Sequence, residues 1–158
     1  MGISASGKSV VGQELASQLG WSFFDGDDFH SRANRQKMAE GIALTDTDRL
    51  PWLTKLRDLI SGCLQRGEQR VLACSALKES YRRILVPEQF SGRIQLVYLK
   101  ATFPIIAGRM RKRKQHFMHP GLLESQFSAL QEPTDAICIE PGQPPRQMVA
   151  VIRDQLGF

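Results

Sequence analysis

Apolar and polar residues follow one another along this chain in blocks that predict helices and short strands in alternation. Residues 10–19 place their apolar positions as an α-helix does, and Gly20 is suited to end that helix. Runs of strand length follow at residues 21–24, 70–75, 94–99 and 136–139. Helical spacing is found at residues 30–41, from about Pro51 onward, and at residues 76–85, 104–113, 122–130 and 146–157. Strands that alternate with helices predict an α/β fold with a parallel sheet.

Composition fits one cytoplasmic domain. The chain has 158 residues, of which 42% are hydrophobic, and no apolar run approaches the roughly 20 residues of a membrane span. Met1 leads directly into a glycine-rich loop, so we expect no signal peptide and a cytoplasmic location. Cys74 and Cys138 lie in predicted strands, and we expect both to be buried free thiols.

The chain carries an excess of positive charge, with a formal net charge of +5 and a pI near 9.4. The densest basic segment is Arg109–Lys114. Nucleic-acid binding is one interpretation, but no aromatic-rich strand accompanies the cluster as in single-strand-binding platforms. Anionic small-molecule ligands explain the same charge, and we therefore expect neither a nucleic-acid partner nor a membrane.

The first residues match the phosphate-binding loop G-x-x-x-x-G-K-[ST]. The glycines allow a tight curl that turns backbone N–H groups inward, and the helix that follows adds its positive N-terminal dipole. Lys8 can reach the β- and γ-phosphates, and the Ser9 hydroxyl can bind Mg²⁺. The alternative is an ordinary helix cap rich in glycine and serine. The phosphate-binding candidates are Gly2, Ser4, Ala5, Ser6, Gly7, Lys8 and Ser9.

A phosphate-binding loop normally follows a buried strand, and here only Met1 precedes it. We therefore expect the first, central strand of the sheet to be missing. Its absence predicts unpaired ladder groups and an open slot in the core, at a free-energy cost comparable with the stability of a whole domain. Either the true start lies upstream, or this is a shortened form with impaired stability and activity.

Three carboxylates follow the predicted strand at residues 21–24, namely Asp25, Asp27 and Asp28. Ligands gather at the carboxyl ends of strands in open α/β sheets, so one carboxylate can sit near Mg²⁺ and another can accept a proton from an attacking hydroxyl. A solvated acidic turn is the alternative.

Cationic side chains occupy comparable positions farther along. Arg49 precedes one predicted helix, and Lys78 and Arg82 follow the strand at residues 70–75. An arginine-rich segment from Arg109 can close over a nucleotide, and the loop Pro141–Pro145 can receive a purine base. Surface ion pairs and a solvated basic helix are the alternatives.

Six blocks together resemble the gluconokinase family of small P-loop kinases, relatives of shikimate and adenylate kinases. The resemblance spans nearly the whole chain and is most selective in the blocks at residues 34–53 and 74–82. The blocks are GISASGKS (2–9), FFDGDDFH (23–30), NRQKMAEGIALTDTDRLPWL (34–53), CSALKESYR (74–82), RMRKRKQHFM (109–118) and LLESQFSALQEP (122–133).

This resemblance implies a P-loop kinase-like three-layer α/β/α fold with a parallel sheet of five strands, the first of them missing here. It implies one domain over residues 1–158, with a lid-like segment around residues 109–130. The implied activity is ATP-dependent phosphorylation of D-gluconate at its terminal hydroxyl to give 6-phospho-D-gluconate, with Mg²⁺, in a possible homodimer.

The resemblance also implies roles for individual residues. Lys8, Asp27, Arg109 and Arg113 are the catalytic candidates, and Ser9 and Asp25 are the metal candidates. Asp27, Arg49, Lys78, Arg82 and His116 are the substrate candidates. Gln115 stands where the family has glycine, which predicts a change in lid geometry.

Three other functions compete with this one. A related shikimate- or nucleoside-monophosphate-type kinase would share the phosphate-binding loop. A catalytically dead nucleotide-binding protein would fit the missing strand. A nucleic-acid binder would show a steep salt dependence of affinity.

Overall fold

A computed structural model describes residues 1–112 and 120–158 of the chain. Helices and strands alternate in the described residues, as the sequence predicts. The helices are α1 (Lys8–Leu19), α2 (Arg32–Ala39), α3 (Asp46–Gln65), α4 (Glu79–Leu85), α5 (Phe103–Lys112), α6 (Pro120–Ala129) and α7 (Pro145–Leu156). The strands are β1 (Ser22–Asp25), β2 (Arg70–Ala73), β3 (Val97–Leu99) and β4 (Ile137–Ile139), and 3-10 helices cover Gly26–Phe29 and Glu88–Arg93.

The strands form two parallel pairs. In one pair β1 lies beside β2, with Ser22 opposite Arg70, and in the other β3 lies beside β4, with Val97 opposite Ile137. Met1 and Gly2 connect the pairs. The Met1 amino group donates to the Val97 carbonyl, the Leu99 N–H donates to the Met1 carbonyl at 3.0 Å, and the Gly2 N–H donates to the Ser75 carbonyl at 3.3 Å.

Below Met1 the two pairs are separated by an open slot, as the sequence predicts. The slot is a cavity of about 570 Å³ lined by β2, by β3 and by apolar side chains of α1 such as Val11 and Leu15. Burial at its upper end lowers the pKa of the Met1 amino group to about 5, and the charge of Lys8 acts in the same direction. A strand-wide gap therefore lies directly beneath the phosphate-binding loop.

Helices cover both faces of the paired strands, which gives three layers. On one face α1 and α7 bury Leu15, Val149 and Ile152 against β3 and β4. On the other face α3 and α4 bury Leu53 and Leu56, among others, beside Cys74. Neighbouring residues of β2 point to opposite faces, since Val71 packs with the first group and Leu72 with the second.

Two helix starts differ from the sequence prediction by three or more residues. Thr45 and Asp48 form a reciprocal capping box, so α3 begins at Asp46, and Arg49 lies in its first turn rather than before it. The helix predicted from Ala76 begins only at Glu79, because Ala76 adopts a left-handed backbone conformation with φ 44°.

The buried thiol predicted at Cys138 is wrong, whereas Cys63 and Cys74 are buried. Ile137 and Ile139 face the α1–α7 side of the sheet, so Cys138 points the other way. Because β4 pairs with β3 alone among the described residues, it is an edge strand there, and its second face is exposed at Cys138. Within the described ranges, no helix is long and apolar enough to cross a membrane.

The slot predicts that this fold gains stability when an apolar strand fills it. Four valine and leucine residues joined before Met1 should raise the free energy of unfolding by several kcal/mol, since each buried side chain of this size contributes about 1.5–3 kcal/mol. Urea denaturation measures the change. A control extension of equal length with alternating aspartates should give no gain, and equal midpoints for the two extensions would contradict the prediction.

Candidate active site

The phosphate-binding loop curls at the N-terminus of α1. Ala5 and Gly7 adopt positive φ angles of 61° and 104°, and Gly7 is the N-cap of α1. Gly2 must be glycine, because a Cβ there would lie 2.8 Å from the Leu99 carbonyl oxygen. The first N–H groups of α1 have no acceptor within the helix, so the loop presents donors and a positive dipole to an anion.

Two distant side chains hold this loop in place. The Ser4 N–H donates to Gln126 Oε1 at 2.9 Å, and Gln126 Nε2 donates to Ser4 Oγ at 3.0 Å. Arg109 Nη1 donates to the Ser6 carbonyl at 2.9 Å, and its Nη2 donates to the Pro141 carbonyl at 2.9 Å. Sequence reasoning missed Gln126, which stands in a block that resembles the family but has no chemical signature of its own.

Lys8 folds back over the loop. Its Nζ donates to the Ile3 carbonyl at 3.0 Å. Burial lowers the pKa of Lys8, and the charges of Asp27 and Asp25 oppose that shift. The ammonium group therefore lies in the field of the acidic turn and beside the loop donors.

The acidic turn meets the start of α1 through one short hydrogen bond. Ser9 Oγ donates to Asp25 Oδ2 at 2.5 Å, and Asp25 Oδ1 accepts the Asp27 N–H at 3.1 Å. Desolvation raises the pKa of Asp27, with Asp25 and Asp28 acting in the same direction and Lys8 opposing them. A hydroxyl and a carboxylate side by side are oxygen ligands of the kind that Mg²⁺ takes alongside phosphates and water.

Arg49 lies in a polar cluster between α3 and α4. Its Nη1 donates to the Leu44 carbonyl at 2.5 Å and to the Tyr81 hydroxyl at 3.3 Å. Lys78 Nζ donates to both carboxylate oxygens of Asp46 at 2.8 Å, and the Tyr81 hydroxyl donates to the same carboxylate. These hydrogen bonds, that of Lys78 above all, lower the pKa of Asp46. The structure therefore brings Arg49 and Lys78 together, along with Asp46 and Tyr81, which the sequence did not indicate.

Two other cations of α4 lie elsewhere. Arg82 Nη1 donates to the Ala76 and Leu77 carbonyls, both at 3.1 Å, and so supports the turn after β2. Arg83 forms an exposed pair with Glu79 at 2.5 Å. Arg113 and His116, together with Gln115, lie outside the described residues.

A second cavity adjoins the loop. It has a volume of about 280 Å³ and lies between the Ala5–Gly7 backbone, Val10, Arg109 and the segment containing Gln143 and Pro145. The loop predicted to receive a purine base thus borders an open space next to the phosphate-binding loop.

His30 follows the acidic turn and was not singled out from the sequence. Its ring stacks on Trp52, with centroids 4.3 Å apart and planes 13° apart, and the residue is 7% exposed. Trp52 in turn donates its indole N–H to the Gly26 carbonyl at 2.6 Å. Burial lowers the pKa of His30 to about 4, and Arg49 and Arg35 add to the shift.

The lowered pKa of His30 predicts that the stability of the fold depends on pH. An unfolded imidazole takes up its proton near pH 6.5, whereas the folded one does so only near pH 4, so the unfolded state binds more protons between these values. The free energy of unfolding should therefore fall as pH falls through this window, by up to about 1.4 kcal/mol per pH unit.

Urea titrations of the natural chain and of a His30→Phe variant at pH 7.5, 6, 5 and 4.5 measure this effect. The buried Met1 amino group shifts stability in the same direction in both proteins, so it cancels in the comparison. The variant should show the flatter profile, and parallel profiles would contradict the assignment.

A lysine-bearing loop at a helix N-terminus, a serine–aspartate pair and a flanking carboxylate on an α/β sheet define a P-loop kinase. Comparisons with known proteins agree. The family model described as shikimate kinase matches residues 4–151. A probable gluconokinase of Mus musculus is 48% identical over 85% of this chain and 81% of its own, and the thermoresistant gluconokinase of Escherichia coli K12 is 41% identical over 95% and 87%.

A solved gluconokinase structure from Sinorhizobium meliloti 1021 is 37% identical and superposes with a TM-score of 0.85, covering 99% of this chain and 89% of that one. The chain therefore belongs to the gluconokinase family, among the P-loop kinases that the shikimate kinase model describes.

Proposed function

We propose that this chain transfers the γ-phosphoryl group of ATP to D-gluconate, giving 6-phospho-D-gluconate and ADP. One observation supports the proposal above all. Ser9 of the phosphate-binding loop contacts the acidic turn that carries Asp25 and Asp27, in a chain that is 41–48% identical to gluconokinases. The fold alone suits several small-molecule substrates, so the choice of gluconate rests on those relatives.

The nucleotide occupies the loop and the cavity beside it. The first N–H groups of α1 and the Lys8 ammonium bind the phosphates, whereas the N–H groups of Gly2 and Ser4 already donate to Ser75 and Gln126. The base lies in the cavity next to Pro145. Arg109, anchored to the Ser6 and Pro141 carbonyls, fixes the loop against that cavity. Arg113, outside the described residues, stays a candidate for neutralising charge on the transferred group.

Ser9 and Asp25 would hold Mg²⁺ together with the nucleotide phosphates and water. The bound ion would supply positive charge that neutralises the β- and γ-phosphates. The hydrogen bond from Ser9 Oγ to Asp25 Oδ2 keeps these two oxygen ligands together.

Asp27 orients the attacking hydroxyl and accepts its proton. The hydroxyl oxygen forms a bond to the γ-phosphorus, the bond from that phosphorus to the bridging oxygen breaks, and ADP leaves with the electron pair. A pKa raised by desolvation and by two neighbouring carboxylates makes Asp27 a better proton acceptor than a free aspartate.

The carboxylate of gluconate pairs with Arg49, which can add donors to those it gives Leu44 and Tyr81. Lys78 is a neighbouring cation, and His116 and Arg82 remain further candidates for hydroxyl contacts.

We expect the reaction to take place in the cytoplasm, where the buried thiols of Cys63 and Cys74 stay reduced. A homodimer stays a prediction, and light scattering, which measures the molar mass in solution, tests it.

ADP release by the purified chain with ATP, Mg²⁺ and D-gluconate tests this function. Turnover with gluconate and none with shikimate is the expected result. A Lys8→Ala variant should lose roughly 100-fold or more in kcat, because it removes a charge aimed at the transferred group. A folded, ATP-binding chain without turnover would instead favour the nucleotide-binding protein that lacks catalysis.

Substitution of Arg49 tests the substrate end. Arg49→Gln should raise the KM for gluconate roughly 10-fold or more while the KM for ATP stays unchanged, since a charge-assisted pair contributes about 1.5–3 kcal/mol. Arg83→Gln, which removes another surface arginine, is the matched control and should leave both constants unchanged. Equal effects of the two variants would contradict the role of Arg49.

A further inference from the structure

The strongest feature that the proposed mechanism does not use is the ring of His30. Its Nδ1 is buried and has no hydrogen-bond partner among the described residues. Buried polar atoms in folded proteins are nearly always paired, and an unpaired one costs free energy. A ligand that supplies a partner for this nitrogen would recover that cost.

His30 lies near residues from both ends of the proposed substrate site. Its N–H donates to the Asp27 carbonyl at 3.3 Å, so the residue follows directly on the turn that carries the proposed proton acceptor. The charge of Arg49 also acts on the imidazole. Arg49 and Trp52 are three residues apart on α3, and the ring of His30 stacks on Trp52.

Rigid contacts hold the ring in this position. Trp52 is 3% exposed and is tied to the acidic turn through its hydrogen bond to Gly26. Arg35 Nη1 donates to the His30 carbonyl at 2.7 Å. The imidazole therefore has a fixed orientation, and a fixed polar group discriminates between ligands better than a mobile one.

From these contacts we infer that His30 is a specificity-determining residue that hydrogen-bonds a hydroxyl in the middle of the polyol chain, between the carboxylate at Arg49 and the reacting hydroxyl at Asp27. The inference rests on the proposed function. A neutral imidazole has one donor and one acceptor nitrogen, and a hydroxyl can pair with either. Its low pKa keeps the ring neutral through the physiological range.

Site-directed variants separate hydrogen bonding from packing. His30→Phe keeps a flat ring against Trp52 without a nitrogen, and His30→Asn keeps a polar atom near the position of Nδ1. We expect His30→Phe to raise the KM for gluconate at least tenfold, with the KM for ATP unchanged and kcat changed less than threefold. His30→Asn should recover most of the loss. Arg83→Gln is the control outside the site.

Deoxy analogues of gluconate, each lacking one of the hydroxyls at carbons 2 to 5, identify the partner. The natural chain should discriminate against one analogue, and His30→Phe should not discriminate against that analogue. An unchanged KM in His30→Phe, or equal discrimination by both proteins, would overturn the inference. If the natural chain turns over gluconate but does not differ from His30→Phe in its KM or in its discrimination between analogues, the inference alone fails. If it neither turns over nor binds gluconate, the proposed function fails with it.

A spectroscopic measurement covers the case in which His30→Phe does not fold. In the natural chain labelled with ¹⁵N-histidine, gluconate should shift the ring nitrogen signals of His30, assigned by elimination with His116→Asn and His119→Asn. Ring signals of His30 that stay in place at saturating gluconate would overturn the inference.

Discussion

The positioning of the active site depends on the backbone connection that Met1 and Gly2 make between two pairs of strands. Met1 bonds to β3 and Gly2 bonds to Ser75, just after β2, so the phosphate-binding loop begins where both pairs meet. Gly2 allows this close approach because a side chain would collide with the Leu99 carbonyl. The loop is thereby fixed relative to the acidic turn after β1 and to the cavity near Pro145.

The slot beneath Met1 shows that the backbone connection between the two strand pairs is short. At this cavity, the facing edges of β2 and β3 lack hydrogen-bond partners and packing among the described residues. Helices nevertheless cover the strand pairs, with α1 and α7 on one face and α3 and α4 on the other. Hydrogen bonds from Gln126 and Arg109 add support to the loop from the far end of the chain. The geometry of the site is thus held by side chains distant in sequence as well as by the sheet.

Several parts of this arrangement could be predicted from the sequence because their signals are local. The phosphate-binding loop, the helix end at Gly20 and the acidic turn each depend on neighbouring residues. The contacts of Gln126 with Ser4 and of Arg109 with Pro141 leave no local pattern, since they join segments 32 or more residues apart.

The same limit applies to the polar cluster around Arg49 and to His30. The helix after β2 was predicted too early because Ala76 has good helix propensity, and only its left-handed backbone in the folded chain shows the turn. Pairing of Asp46 with Lys78 and Tyr81 depends on how α3 packs against α4. The isolation of the His30 ring nitrogen is likewise visible only in three dimensions.

In the proposed reaction, the loop and Asp27 deliver the γ-phosphoryl group to the hydroxyl farthest from the carboxylate bound at Arg49. The most direct test is the position of the phosphate on the product, read from ³¹P–¹H NMR couplings after incubation of the chain with ATP, Mg²⁺ and D-gluconate. We expect a single product phosphorylated on the oxygen of carbon 6. A phosphate on any other hydroxyl would contradict this orientation of the substrate between Arg49 and Asp27.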